Sequence, residues 1–201
     1  MKVSEIFESI QGEGKFIGKP TVFIRLSGCN LRCSWCDTRY AIRKGRELGV
    51  QKIIDEVKKR NISSVCITGG EPMLQLSELK ELIKGLKDVG YHIILETNGT
   101  LHDNWVFETV DCVSFDVKPP SSREESDLSL LKKLKEKDQV KIVIADEQDF
   151  RFMKEVLKAT SVEVIIQPAG GLDIKPLAKK VLEERLDVRV LPQLHKIMGL
   201  K

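Results

Sequence analysis

Six short apolar segments constrain this chain more than any other feature. Each is followed by a polar or glycine-rich stop and then by a segment of helical period. They fall at residues 21–26, 64–68, 91–95, 111–116, 139–145 and 162–166. Between them, residues 50–57 carry apolar side chains at i, i+3, i+4 and i+7, and residues 77–89 place Leu79, Leu82, Ile83 and Leu86 on one face before Gly90. Further helices are predicted over 104–109, around Leu128, Leu131 and Leu134, from a cap at Asp146 through Met153 and Leu157, and from a cap at Asp173 to about Glu184. Shorter strands are predicted at 3–10 and 187–191, and a solvated basic loop at 39–46. Strand, loop and helix in alternation, with strands read as continuously apolar, predict a parallel sheet with helices outside it. Crossovers of such a sheet are right-handed. Six strands are too few to close the eight-stranded barrel. The expected fold is therefore α/β: an open, partial, six-stranded parallel β/α barrel, one domain over residues 1–201 with a sizeable core.

Ligands of such sheets bind at the C-terminal ends of the strands. The polar groups of this chain collect there. Thr68 leads into Gly69-Gly70-Glu71-Pro72, Glu96 and Gln167 each end a strand, and Asp116 is followed by Val117 and Lys118. Arg25 sits inside an apolar strand and must face either solvent or an anion. The first of the six strands runs into Cys29-Asn-Leu-Arg-Cys33-Ser-Trp35-Cys36, three thiols in eight residues. A structural zinc site has four closed ligands, and common ferredoxin clusters use four cysteines. Three ligands imply a centre with one open position. The competing reading is a non-catalytic zinc module whose fourth ligand is Cys66 or Cys112, but both lie in apolar strands and read as core thiols. Five cysteines, an odd number, suit metal ligation better than a disulfide framework, which places the expected chain in the reducing cytoplasm. The N-terminus has no signal-peptide h-region and no apolar run reaches membrane length. A net charge of +3, evenly spread, gives no footprint for nucleic acid. His92 and His102 read as structural.

Cys-x3-Cys-x2-Cys after the first core strand, with Gly-Gly-Glu-Pro after the second, resembles the radical S-adenosylmethionine superfamily. The segments Glu5-Ile-Phe-Glu-Ser-Ile10-Gln11-Gly12-Glu13-Gly14, Phe23-Ile-Arg25-Leu-Ser-Gly-Cys29, Cys36-Asp37-Thr38, Glu96-Thr-Asn-Gly-Thr100, Asp116-Val-Lys-Pro-Pro120 and Leu191-Pro-Gln-Leu-His195 are, within it, similar to the 7-carboxy-7-deazaguanine synthase family. The resemblance covers almost the whole chain. It implies a [4Fe-4S] cluster on Cys29, Cys33 and Cys36, S-adenosylmethionine on the open iron, and Mg2+ on the Thr38 hydroxyl. It places Trp35, Cys36, Asp37, Gly70, Glu71, Asp116, Val117, Lys118 and the run Gln167, Pro168, Ala169, Gly170 around S-adenosylmethionine. It places Ile10, Gln11, Gly12, Glu13, Arg25, Thr68, Gln193 and His195 around a pterin, with Arg25 on its carboxylate. The implied reaction converts 6-carboxy-5,6,7,8-tetrahydropterin to 7-carboxy-7-deazaguanine, with hydrogen abstraction from C6, ring contraction and loss of ammonia. An electron donor such as flavodoxin is implied as partner. The exposed strands of an open barrel lead us to expect a homodimer. A glycyl-radical-enzyme activase shares the cysteine spacing and Gly-Gly-Glu-Pro, but the Gln-Gly-Glu-Gly loop, Arg25 and the Gln-x-His tail favour a small anionic substrate.

Overall fold

Period-two alternation, not continuous apolarity, organises the strands. The computed structural model describes all 201 residues. In chain order the elements are β1 (Lys2–Ile10), β2 (Pro20–Leu26), α1 (Arg39–Arg43), β3 (Arg46–Glu47), α2 (Val50–Lys58), β4 (Ser64–Gly69), α3 (Leu76–Asp88), β5 (His92–Thr97), α4 (Asn104–Thr109), β6 (Cys112–Val117), β7 (Gln139–Ile144), α5 (Glu147–Ala159), β8 (Glu163–Pro168), α6 (Lys175–Glu183), β9 (Arg189–Val190) and α7 (Leu194–Met198). They form one open sheet in the order β3-β1-β2-β4-β5-β6-β7-β8-β9. Strands β2 and β4 to β9 run parallel, and β1 pairs antiparallel with β2 and β3. The partial parallel barrel is therefore present, extended by two antiparallel strands at one edge and by β9 at the other.

Alternate residues of each core strand point outward. Ile24, Ile67, Leu95, Phe115, Ile142 and Ile166 join a continuous core with Ile53, Leu79, Leu82, Phe150 and Met153 of the covering helices. The intervening residues face inward. Phe23, Cys66 and Ile94 make a small separate apolar cluster against Phe7 and Phe16. Nearer the strand ends the same face carries Arg25, Thr68, Glu96, Asp116 and Lys141, which line one cleft. A strand that is apolar outward and polar at its inner tip serves as core and as site at once.

Helix starts follow their caps. The Asp103 carboxylate accepts from the Val106 N–H at 3.0 Å and Asp146 from the Asp149 N–H at 2.9 Å, each satisfying an orphan donor. Two expectations are corrected. The basic stretch 39–46 is not all loop, since α1 and β3 lie in it and Ala41 is fully buried. Residues Leu128–Lys133 form 3-10 turns, held by Asp127 accepting from the Ser129 N–H, not an α-helix. Asp173 holds the start of α6 as expected, its carboxylate accepting from the Lys175 N–H at 3.3 Å, and Pro176 fixes the first turn. No helix is long and apolar enough to cross a membrane.

Candidate active site

The cysteine loop is built by its neighbours. Its first residue is approached by the Gly69-Gly70 turn. The Gly70 N–H donates to the Leu26 carbonyl at 3.0 Å, and the Glu71 N–H to the Gly28 carbonyl at 2.7 Å. A Cβ on Gly70 would overlap the Gly28 carbonyl oxygen. The glycines thus allow two loops to touch, a stronger demand than exposing carbonyls to a ligand. On the far side, the Ser34 N–H donates to Ser122 O at 2.9 Å, and Trp35 Nε1 donates to Ser121 Oγ at 3.1 Å. Asp149, buried at the start of α5, accepts from Ser121 N and Oγ and from the Ala145 N–H. The loop is clamped between the strand ends of β4 and β6.

The inner strand tips carry a charge network. Lys141 of β7 pairs with Glu13 and stands 3.9 Å from Asp116 Oδ2, while Lys118 Nζ lies 2.8 Å from the same oxygen and over the Trp35 ring. Burial alone would raise the Glu13 carboxyl, but Lys141, the Gln193 amide and His195 hold it well below the usual carboxylate range. Burial likewise opposes charge on Lys118, yet Asp116 and the Cys33 sulfur push its ammonium above the ordinary lysine value. Arg25 Nε donates to Glu5 Oε1 at 2.9 Å, and Tyr40 and Lys201 reach the same carboxylate. The terminal nitrogens of Arg25 make no hydrogen bond within the protein, and the side chain faces the cleft. Thr68 Oγ1 donates to Glu96 Oε2 at 2.8 Å.

The cysteines and the inner strand tips wall one cleft of about 240 Å3. It gathers Ile10, Gln11, Gly12 and Glu13 of the first loop; Arg25; Cys29, Cys33, Trp35, Cys36, Asp37 and Thr38; Thr68 and Gly70; Asp116 and Lys118; Pro168, Ala169 and Gly170; and Gln193 and His195. Three expected residues stand elsewhere. Val117 is buried in the outer core. Gln167 does not line the cleft, and both its amide atoms are buried and unpartnered. Glu71 is fully buried, and its carboxylate accepts from the Met73 N–H, Thr97 Oγ1 and the Asn98 N–H at 2.7–3.0 Å. Its oxygens are spent inside the protein, so its side chain is a brace for two loops and not a ligand contact. The structure adds Glu96, Asn98 and Lys141 to the wall, with Phe7 and Phe23 at its apolar base. Lys141 was legible in Gln139-Val-Lys141-Ile-Val-Ile144 as a charge at an inward period-two position.

The donor set fits the groups that the sequence motif implies. Cys29, Cys33 and Cys36 are free and partly exposed on the wall, while Cys66 and Cys112 are buried, off the wall, and have thiols pushed up by burial, Cys112 to about 12. No three His, Cys, Asp or Glu side chains converge tightly enough for a single ion. A lone zinc needs that convergence; a cluster, whose thiolates each take a different iron, does not. Asp116 Oδ1, on the cleft wall, is buried without a partner in the protein, which leaves it free for a ligand. The Thr38 hydroxyl caps no backbone group and stands 3.7 Å from Cys36 Sγ, an oxygen donor open to a hard cation.

Comparison with known proteins agrees. Residues 23–145 match the radical SAM superfamily. The chain is 39% identical to the 7-carboxy-7-deazaguanine synthase of Thermoplasma acidophilum, over 98% of this chain and 97% of the relative. It is 41% identical to that of Methanospirillum hungatei, over 100% of this chain and 86% of the relative. The crystal structure of QueE from Escherichia coli shares the fold, with a TM-score of 0.73 at 23% identity over 94% of this chain and 92% of that one.

Proposed function

Because this chain belongs to the radical SAM superfamily and, within it, to the 7-carboxy-7-deazaguanine synthases, we propose that its cleft converts 6-carboxy-5,6,7,8-tetrahydropterin to 7-carboxy-7-deazaguanine with release of ammonia, on the route to queuosine and related deazapurines. The enzyme is a lyase, and its cofactors are a [4Fe-4S] cluster, S-adenosylmethionine and Mg2+. One observation carries the assignment of the cleft: the cysteine loop, the Arg25 fork and the Glu13–Lys141 pair open onto the same 240 Å3 of space. The charged lining, with the Arg25 fork at its centre, suits a small carboxylated substrate.

When bound, the cluster and S-adenosylmethionine supply the 5'-deoxyadenosyl radical that takes hydrogen from the pterin. The protein's own part is to bind, orient and shield. Cys29, Cys33 and Cys36 would hold the cluster, and the Gly70 backbone, Asp116, Lys118 and residues 168–170 would flank the nucleoside and methionyl groups. Arg25 offers its two terminal nitrogens to the substrate carboxylate, while Glu5 fixes the guanidinium plane through Nε. The Thr38 hydroxyl, on the same wall, would hold Mg2+, which would add a cation to the arginine that faces the substrate carboxylate. Gln11, Glu13, Thr68, Gln193 and His195 surround the ring. Glu13 is ionised and locked by Lys141 and Gln193. His195 rests on Gly12, where a Cβ would overlap its Nδ1, and so closes the cleft to water.

The same reading covers the partners. The enzyme acts on a small molecule with a reductant, and exposed Arg43, Lys44 and Arg46 near the cysteine loop suit an acidic flavodoxin. Pairing of two copies along a sheet edge, one domain per chain and a cytoplasmic location complete the proposal. The test is anaerobic turnover of reconstituted protein with reductant, S-adenosylmethionine and the carboxytetrahydropterin. One ammonia per deazaguanine, faster with Mg2+, is expected. No product from protein that carries four irons would sink the assignment.

A further inference from the structure

We propose that Asn98 is a positioning residue for the cluster: its side-chain amide donates to the Cys29 sulfur and holds the cluster's reduction potential above the value that the three thiolates alone would set. The inference rests on reading Cys29 as a cluster ligand. Asn98 follows β5 and is nearly buried, at 7% exposure. Its Nδ2 lies 3.8 Å from Cys29 Sγ and 2.9 Å from Asn30 Oδ1. Its Oδ1 accepts from the Thr100 N–H at 3.1 Å and from Thr100 Oγ1 at 2.7 Å. These partners fix which way the amide points. A flipped amide would set its oxygen against the sulfur and the Asn30 oxygen, and its NH2 against the Thr100 N–H, keeping at most the contact with the Thr100 hydroxyl.

The backbone beneath it is held as firmly. The Asn98 N–H donates to the Glu71 carboxylate at 2.7 Å, and its carbonyl accepts from Ser126 Oγ at 2.9 Å. Glu71 in turn donates its own N–H to Gly28, the residue before Cys29. Cys29 also accepts from the Leu31 N–H at 3.4 Å, so two N–H dipoles point at this one sulfur. Cys33 receives none, and Cys36 has only the Thr38 hydroxyl. Reduction adds negative charge to a cluster and its thiolates. An N–H aimed at a ligand sulfur favours that reduced state and raises the potential.

The experiment is an EPR-monitored redox titration of the reconstituted holoprotein without pterin. Asn98→Ala removes the donor. Asn98→Asp keeps the size and the acceptor for Thr100 but turns a carboxylate oxygen toward the sulfur. Loss of one such hydrogen bond is expected to change the one-electron equilibrium about tenfold, a shift of ~59 mV to more negative potential, and Asn98→Asp to shift it further. Potentials equal to the unaltered protein, with four irons bound, would overturn the inference and leave the cluster assignment standing; colourless protein without iron would overturn the assignment itself. Should either variant fail to load its cluster, the unaltered protein decides. With asparagine labelled by 15N at its side-chain amide, pulsed EPR of the reduced cluster must show a coupled amide nitrogen, and its absence refutes the contact.

Discussion

Glu71 shows how a residue's motif and its work can part. Three donors, two of them backbone N–H groups, converge on its carboxylate, and burial pushes its pKa up against them. Glu71→Gln keeps one oxygen and sets an NH2 against a remaining donor. We expect a loss of about 2–3 kcal/mol, read by chemical denaturation, because buried donors are left unmade. The Glu13–Lys141 pair gives a pH prediction. The Glu13 pKa is lower folded than the ordinary 4.5, so its contribution is fully present above that value and is lost as pH falls below it. A Glu13→Gln, Lys141→Met double variant is expected to show a shallower fall of Tm with acid than the unaltered protein. The cysteines, Arg25 and Thr38 were legible because spacing and an odd charge in an apolar strand survive in one dimension. Asn98 was not singled out as a site residue, and Glu96 only as a polar strand end. Their roles come from partners 68–69 and 28 residues away, Cys29 and Asn30 for the one and Thr68 for the other.

At the scale of elements, the βα repeats were legible since each strand is short, apolar outward and stopped by polar residues. The polar strand ends at Thr68, Glu96, Asp116 and Gln167 were legible, but Lys141, on the same inner face of β7, was missed because apolar residues flank it on both sides. The 3-10 turns at Leu128–Lys133 escaped because leucines three apart suit either helix type. The contact between the cysteine loop and the loop after β4 makes a sharp prediction. Gly70→Ala drives a methyl into the Gly28 carbonyl, so the two loops must separate. Overpacking of this kind costs ~1–3 kcal/mol. Calorimetry is expected to show a Tm lower by about 2–12 °C, and iron analysis an incomplete cluster.

Across the whole molecule, the chain's last segment returns to its first loop. The Leu194 N–H donates to the Gly12 carbonyl at 3.0 Å, the Gln193 N–H to Gly171 at 2.8 Å, and Ser9 Oγ to the Lys201 carbonyl at 2.8 Å. This strap lines the cleft through Gln193, His195, Lys196 and Lys201, and only its Gln-x-His residues, not its path or α7, were legible in one dimension. Gln193→Ala should raise the pterin KM with a smaller change in kcat, since the strap binds and shields without touching the reacting carbon. The central claim is that one inner-face cleft grips a small carboxylated pterin through Arg25. Dissociation constants for tetrahydropterin with and without the 6-carboxylate, on unaltered protein and Arg25→Ala, test it most directly. We predict that removing either partner weakens binding about 100-fold and removing both weakens it little further, the mark of one shared interaction. Additive losses, or Arg25→Ala binding as tightly as the unaltered protein, would contradict the account.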